Sequence, residues 1–132
     1  QVVLPLLETS FFDILYKTTN NELNNIDIKI SSKTALTVVL ASKGYPEEYT
    51  KGQKIILKNK SLLFHAGTKL IEGDLCVNGG RVLNVVGVGK NLKEAKENVY
   101  KDIENIEFDK KYFRNDIGDK GIRYNQANLE KE

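Results

Sequence analysis

Apolar and polar positions follow two periods along this chain. Between Leu92 and Ile106 the period is helical. Leu92, Ala95, Val99, Ile103 and Ile106 form one apolar stripe. Asn91 stands before it as an N-cap, and Glu94 completes a capping box. Glu94 and Asn98 face solvent, as do Glu97 and Lys101, the latter a favourable i,i+4 pair. The spacing predicts a helix that lays its stripe on a sheet. A second helical pattern joins Leu7, Phe11, Ile14 and Leu15, with Ser10 and Asp13 as a weaker capping pair. Asparagine pairs at Asn20–Asn21 and Asn24–Asn25 stop that helix or break it into short pieces.

Elsewhere the signals are those of strands. Ile26–Ile30 (IDIKI) alternates apolar and polar, as a half-buried strand does. Thr34–Ala41 (TALTVVLA) is β-branched and apolar throughout, which predicts a well-buried strand. Gly44, Pro46 and Gly52 mark the next segment as a loop, and Tyr45, preceding proline, is expected extended. KIIL and SLLFHAG read as short strands joined by the polar turn KNK. IEGDLCVNGGR holds a glycine turn, a short strand and an Asn-Gly-Gly turn. RVLNVVGVG is then the partner strand of a hairpin. A turn and an aromatic segment, EFDKKYFRNDIG, follow the strong helix. Asp119 to Glu132 is polar and aperiodic, a loosely held tail. The order is helix, five or six short strands, helix, irregular end. It predicts an α+β fold in which a small antiparallel sheet is closed by a helix.

Composition narrows the function. The 132 residues are 40% hydrophobic and 29% charged, an ordinary globular balance. The net charge of +2 is too small to imply nucleic acid or a membrane as partner. Cys76 is alone, which excludes a disulfide framework and a cysteine metal cluster. No apolar stretch reaches the roughly 20 residues of a membrane helix. The chain holds no methionine and opens abruptly with apolar residues, the character expected of part of a longer polypeptide.

Few residues promise chemistry. His65 is the single histidine, suited to a ligand contact or general base but equally to a strand position bonded to its neighbours. Lys43, Lys51 and Lys69 lie in or beside glycine-containing loops, where backbone amides and a cation together can hold an anion. Each also reads simply as a solvated lysine. Arg81 differs. It follows Asn78, Gly79 and Gly80 at the mouth of an apolar strand, where a plain surface charge is less expected. The NGGR and GVGK segments lack P-loop and dinucleotide spacing, and no catalytic triad assembles.

Five stretches in order, LASKGYPEEYTKG, FHAGTK, NGGRVLNVVGVG, the helix after it and YFRNDIG, resemble the C-terminal region of the phosphoribosylamine–glycine ligases, members of the ATP-grasp group. The likeness runs from about Gln1 to Gly118. It implies a C-terminal domain like that of biotin carboxylase at 32–118. Residues 1–31, with a helix from Leu4 to about Thr19 and a first strand, would be the tail of the ATP-grasp domain, and 119–132 a polar tail. It implies a cytoplasmic enzyme of purine synthesis that joins glycine to phosphoribosylamine with ATP, through a glycyl phosphate. ATP and magnesium or manganese would bind upstream domains, the partner of this segment, and the segment alone would lack their site and be inactive. Gln1 resembles the last residue of the GDPETQ stretch that follows the metal ligands. Substrate contacts are implied at Arg81, Asn78, Gly79, Gly80, Lys43, Tyr45, His65 and Lys69. The alternatives are the C-domain of another ATP-grasp ligase, or a stand-alone nucleotide- or RNA-binding module. The latter needs a basic stripe with stacking aromatics, whereas the tyrosines and phenylalanines here are scattered.

Overall fold

The computed structural model describes residues 1–129. A short 3-10 turn (Leu4–Leu6) precedes helix α1 (Phe11–Thr19), and a second 3-10 turn (Leu23–Asn25) follows. Strands β1 (Thr34–Ser42), β2 (Ile56–Leu57), β3 (Leu63–His65), β4 (Thr68–Ile71), β5 (Asp74–Val77) and β6 (Arg81–Gly89) lead into helix α2 (Leu92–Glu104). Strands β7 (Ile106–Glu107) and β8 (Lys111–Tyr112) and helix α3 (Asp119–Leu129) complete the order.

The central sheet has the order β3-β6-β1-β8, with every pairing antiparallel. Its register sorts side chains onto two faces. Val38 pairs with Val85 and Leu40 with Leu83, and these side chains are buried together with Ala95, Val99 and Ile103 of α2. Val39 pairs with Asn84, and Asn84 also with Phe64 across β3, so these three share the opposite face. The α2 stripe is thus the core of the fold, as its periodicity predicts. The cap is also as expected: Asn91 Oδ1 accepts from Glu94 N at 2.9 Å, while Glu94 reaches back to Lys90 N at 2.8 Å. Ile103 is 1% exposed. Ile103→Ala is expected to cost about 3 kcal/mol, the usual cost of a buried large-to-small change, read from urea unfolding.

The last turn of α2 is held by a cation. Lys111 Nζ donates to the carbonyl of Ile103, in the last turn of α2, at 3.0 Å and to that of Ile106 in β7, tying the helix end to the strand that follows. Burial lowers the ammonium pKa from its ordinary 10.5, while nearby Glu107 and Glu104 oppose the shift. Between the lowered folded value and 10.5 the unfolded chain binds more protons, so stability rises with pH across that window. Lys111→Met is expected to flatten that rise, measured by urea unfolding at several pH values.

Several expectations are corrected. The first helix does not run unbroken from Leu4: the chain bends at residues 7–10, and Leu7 leaves the helix to bridge Ile30. The IDIKI segment lies alongside Leu6–Thr9, but half of the bonds between them use the Thr9 side chain, and the ladder amounts to that one bridge rather than a strand. β1 is buried on one face alone, with Val39 38% exposed. β2 and β3 do not pair with each other: β2 joins β7, and β3 joins β6. The hairpin turn is Glu72–Gly73, both at positive φ, joining β4 to β5. Asn78–Gly80 instead carries the chain from that hairpin into the central sheet, because β6 finds longer partners in β1 and β3. The segment after Asp119 is helical through Leu129. Gly121 lets α3 approach Leu92, and Asp119 pairs with Lys96. Residues 130–132 of the expected tail lie outside the described residues.

Candidate functional site

A cavity of about 660 Å³ opens on the sheet face opposite α2. Val39 and Asn84 form its floor, and Gln1 also borders it. Its walls come from three chain turns. Tyr45 stands in the loop after β1, Ala66 and Gly67 follow β3, and Gly80 and Arg81 begin β6.

These turns fit together because glycines remove side chains between them. Gly67 N donates to Arg81 O and Asn78 N to Gly67 O, each at 2.7 Å. A methyl added at Gly67 would lie 2.6 Å from Gly79 Cα, so the two turns touch through bare backbone. Gly80 O accepts from Ser42 N at 2.9 Å. Its missing side chain makes room for the Tyr45 ring, which an added methyl would meet at 1.9 Å. The backbone N–H groups of Gly79 and Gly80 have no hydrogen-bond acceptor among the described residues.

A second cavity of about 230 Å³ shares Val39, Tyr45 and Arg81 and is bounded by Tyr112, Phe113 and Arg114 beyond them. The two arginines differ. Arg114 is locked in a bidentate pair with Asp116, at 2.9 and 2.6 Å, and that pair holds the Asp116 carboxyl below its ordinary pKa. Arg81 has no carboxylate partner among the described residues and borders both cavities. Chemically, an uncompensated guanidinium beside two unbonded amides can hold a small oxyanion.

Of the residues singled out from sequence, Tyr45, Gly80 and Arg81 meet at the cavity. Asn78 and Gly79 build the supporting turn. Lys43 borders a different hollow of about 260 Å³ with Glu48, Tyr49 and Lys110. Lys69 lies on β4 opposite Cys76, exposed. His65 pairs with Leu83, which puts it in register with the α2 side of the sheet. Its Nδ1 is 3.0 Å from Thr68 Oγ1. The floor residues Val39 and Asn84 were not foreseen. Asn84 carried a signal all the same, an amide in the middle of an apolar strand.

No group of three or more His, Cys, Asp or Glu side chains among the described residues is placed to hold a metal ion. No helix among the described residues is long and apolar enough to cross a membrane.

Comparison with known proteins gives a consistent result. The family model described as "Phosphoribosylglycinamide synthetase, C domain" matches residues 35–120. The bifunctional purine biosynthetic protein purD of Dictyostelium discoideum is 46% identical over 131 residues, covering 94% of this chain and 16% of the relative. A phosphoribosylamine–glycine ligase of Caldanaerobacter subterraneus subsp. tengcongensis is 41% identical over 120 residues, 89% of this chain and 29% of the relative. The crystal structure of phosphoribosylamine–glycine ligase from Thermotoga maritima superposes with a TM-score of 0.71 at 31% identity, covering 88% of this chain and 29% of that one. The chain thus spans less than a third of the length of each of these relatives.

Proposed function

The chain belongs to the phosphoribosylglycinamide synthetase C-domain family, and from that premise we propose that it is the C-terminal part of a ligase joining glycine to phosphoribosylamine at the expense of ATP. Its own task in that reaction is to seat the sugar phosphate. The observation that carries this reading is Arg81, a guanidinium without an acid partner among the described residues, at a cavity rimmed by Gly80, whose amide, like that of the preceding Gly79, has no acceptor among those residues. A planar guanidinium binds two phosphate oxygens at once, and fixed backbone dipoles add to it without reorganising. Tyr45 packs on Gly80 and keeps the rim in shape. Fixing the phosphate leaves the amine at the other end of the sugar with little freedom except to face its acyl acceptor. Lys43, His65 and Lys69, which the resemblance also suggests, stand apart from this cavity and would reach substrate only from outside its lining.

ATP and its magnesium or manganese ion belong, in this reading, to upstream domains, which are the chain's partner. Glycine is activated there, and no step of that activation is assigned to residues of this chain. The proposed division places residues 1–31 with the preceding ATP-grasp domain and 32–118 in the C-terminal domain, with 119–132 as an appended segment. Support comes from α1, which buries none of its residues and leaves Phe11, Phe12, Leu15 and Tyr16 exposed. Exposed apolar side chains this dense usually mark a surface that meets another one. The cytoplasm is the proposed setting, by analogy with the purine-synthesis roles that the relatives' names carry.

Inorganic phosphate titrated into the chain is expected to shift the nuclear magnetic resonance signals of the Gly79 and Gly80 amides and the Arg81 side chain, and to leave Lys69 unmoved. Shifts at Lys69 without shifts at Arg81 would move the anion site off this cavity. The chain alone, given glycine, phosphoribosylamine and ATP, is expected to release no ADP. Turnover by the chain alone would contradict the proposed division of labour.

A further inference from the structure

Asn84 puts a neutral amide into the floor of the cleft. It is 6% exposed, and its register neighbours on that face, Val39 and Phe64, are apolar and offer it no hydrogen bond. The side chain lines the cavity, where its amide faces the space a bound molecule would take. Strand β6 therefore holds two polar contacts on one cavity: the Arg81 cation at the rim and the Asn84 amide at the floor.

We propose that Asn84 determines specificity by hydrogen-bonding the vicinal hydroxyls of a sugar whose phosphate is held at Arg81. This rests on the phosphate reading of the cleft. An amide offers a carbonyl acceptor and an NH₂ donor side by side. Two hydroxyls on adjacent carbons present the complementary pair, so both ends of the amide are satisfied at once. The group is uncharged and adds nothing to phosphate affinity. It discriminates instead against analogues without the hydroxyls, because these leave the buried amide unpaired.

The test is nuclear magnetic resonance titration of the whole chain with ribose 5-phosphate, 2-deoxyribose 5-phosphate and inorganic phosphate. Ribose 5-phosphate is expected to move both the Asn84 NH₂ and the Arg81 side-chain signals, and to bind about tenfold tighter than the deoxy sugar. Asn84→Leu, which keeps the branching at Cγ and removes the amide, is expected to abolish that difference while the Arg81 side-chain signals still respond to inorganic phosphate. The wild-type comparison of the two sugars stands even where the variant fails to fold. Movement of Arg81 without Asn84, or equal affinity for both sugars in the wild-type chain, overturns the role of Asn84 and spares the phosphate reading. An Arg81 signal that ignores all three ligands overturns the phosphate reading, and this inference with it.

Discussion

Valine in place of Gly87 is expected to lower the unfolding free energy by about 3 kcal/mol or more, enough to unfold much of the population. Gly87 lies where β6 passes directly under α2. A carbon added there would come within 2.2 Å of the Ala95 carbonyl oxygen and 2.5 Å of the Val99 amide nitrogen. Both are main-chain atoms of the helix, so no rotamer change relieves the overlap. The helix must lift, and Val99 and Ile103 would leave the core as it does. Gly73, in the β4–β5 turn, separates this steric demand from a conformational one. An added carbon there meets nothing within 4 Å, but φ is +89°. Gly73→Ala is expected to cost about 1 kcal/mol, the penalty of left-handed backbone alone. Urea unfolding of the two variants beside the parent chain checks the pair. Equal, small effects would mean that α2 does not rest on the β6 backbone.

What the sequence makes legible follows how local each determinant is. Helix α2 is readable because its stripe, its Asn91 cap and its Glu94 partner lie within one segment. Strands β1 and β6 are readable as apolar runs, but their pairing depends on segments about fifty residues apart. Asn-Gly at Asn78–Gly79 shows the difficulty. Its local signal is that of a hairpin, yet Glu72–Gly73 makes the hairpin, and the glycines at 79 and 80 serve close approach to Gly67 and Tyr45 instead. The site divides in the same way. Arg81 and Tyr45 stand out as motif residues. The register is what separates His65, aligned with Leu83, from Asn84, one residue away on the other face of the sheet. α3 escaped notice because its polar sequence gains its stability from packing on α2 rather than from an apolar stripe of its own.

In the full-length ligase that this chain would complete, Arg81→Ala is expected to reduce kcat/KM for phosphoribosylamine by roughly 100-fold. A charge-assisted hydrogen bond contributes about 1.5–3 kcal/mol, and each 1.4 kcal/mol is a factor of ten. The phosphate takes no part in bond making, so Arg81 holds it equally in the ground and transition states. Most of the loss should therefore appear as a raised KM, with kcat reduced less. KM values for ATP and glycine should stay within about twofold, since neither contacts this cavity in the proposed arrangement. Arg81→Lys is the informative companion. It restores the charge but not the planar two-pronged donor, so it should recover part of the affinity and leave KM well above the parent value. Added salt should raise KM for phosphoribosylamine in the parent enzyme and have less effect in Arg81→Ala, where the screened charge is gone. An unchanged KM for phosphoribosylamine in Arg81→Ala would remove Arg81 from the substrate. The two free amides of Gly79 and Gly80 would then need another explanation.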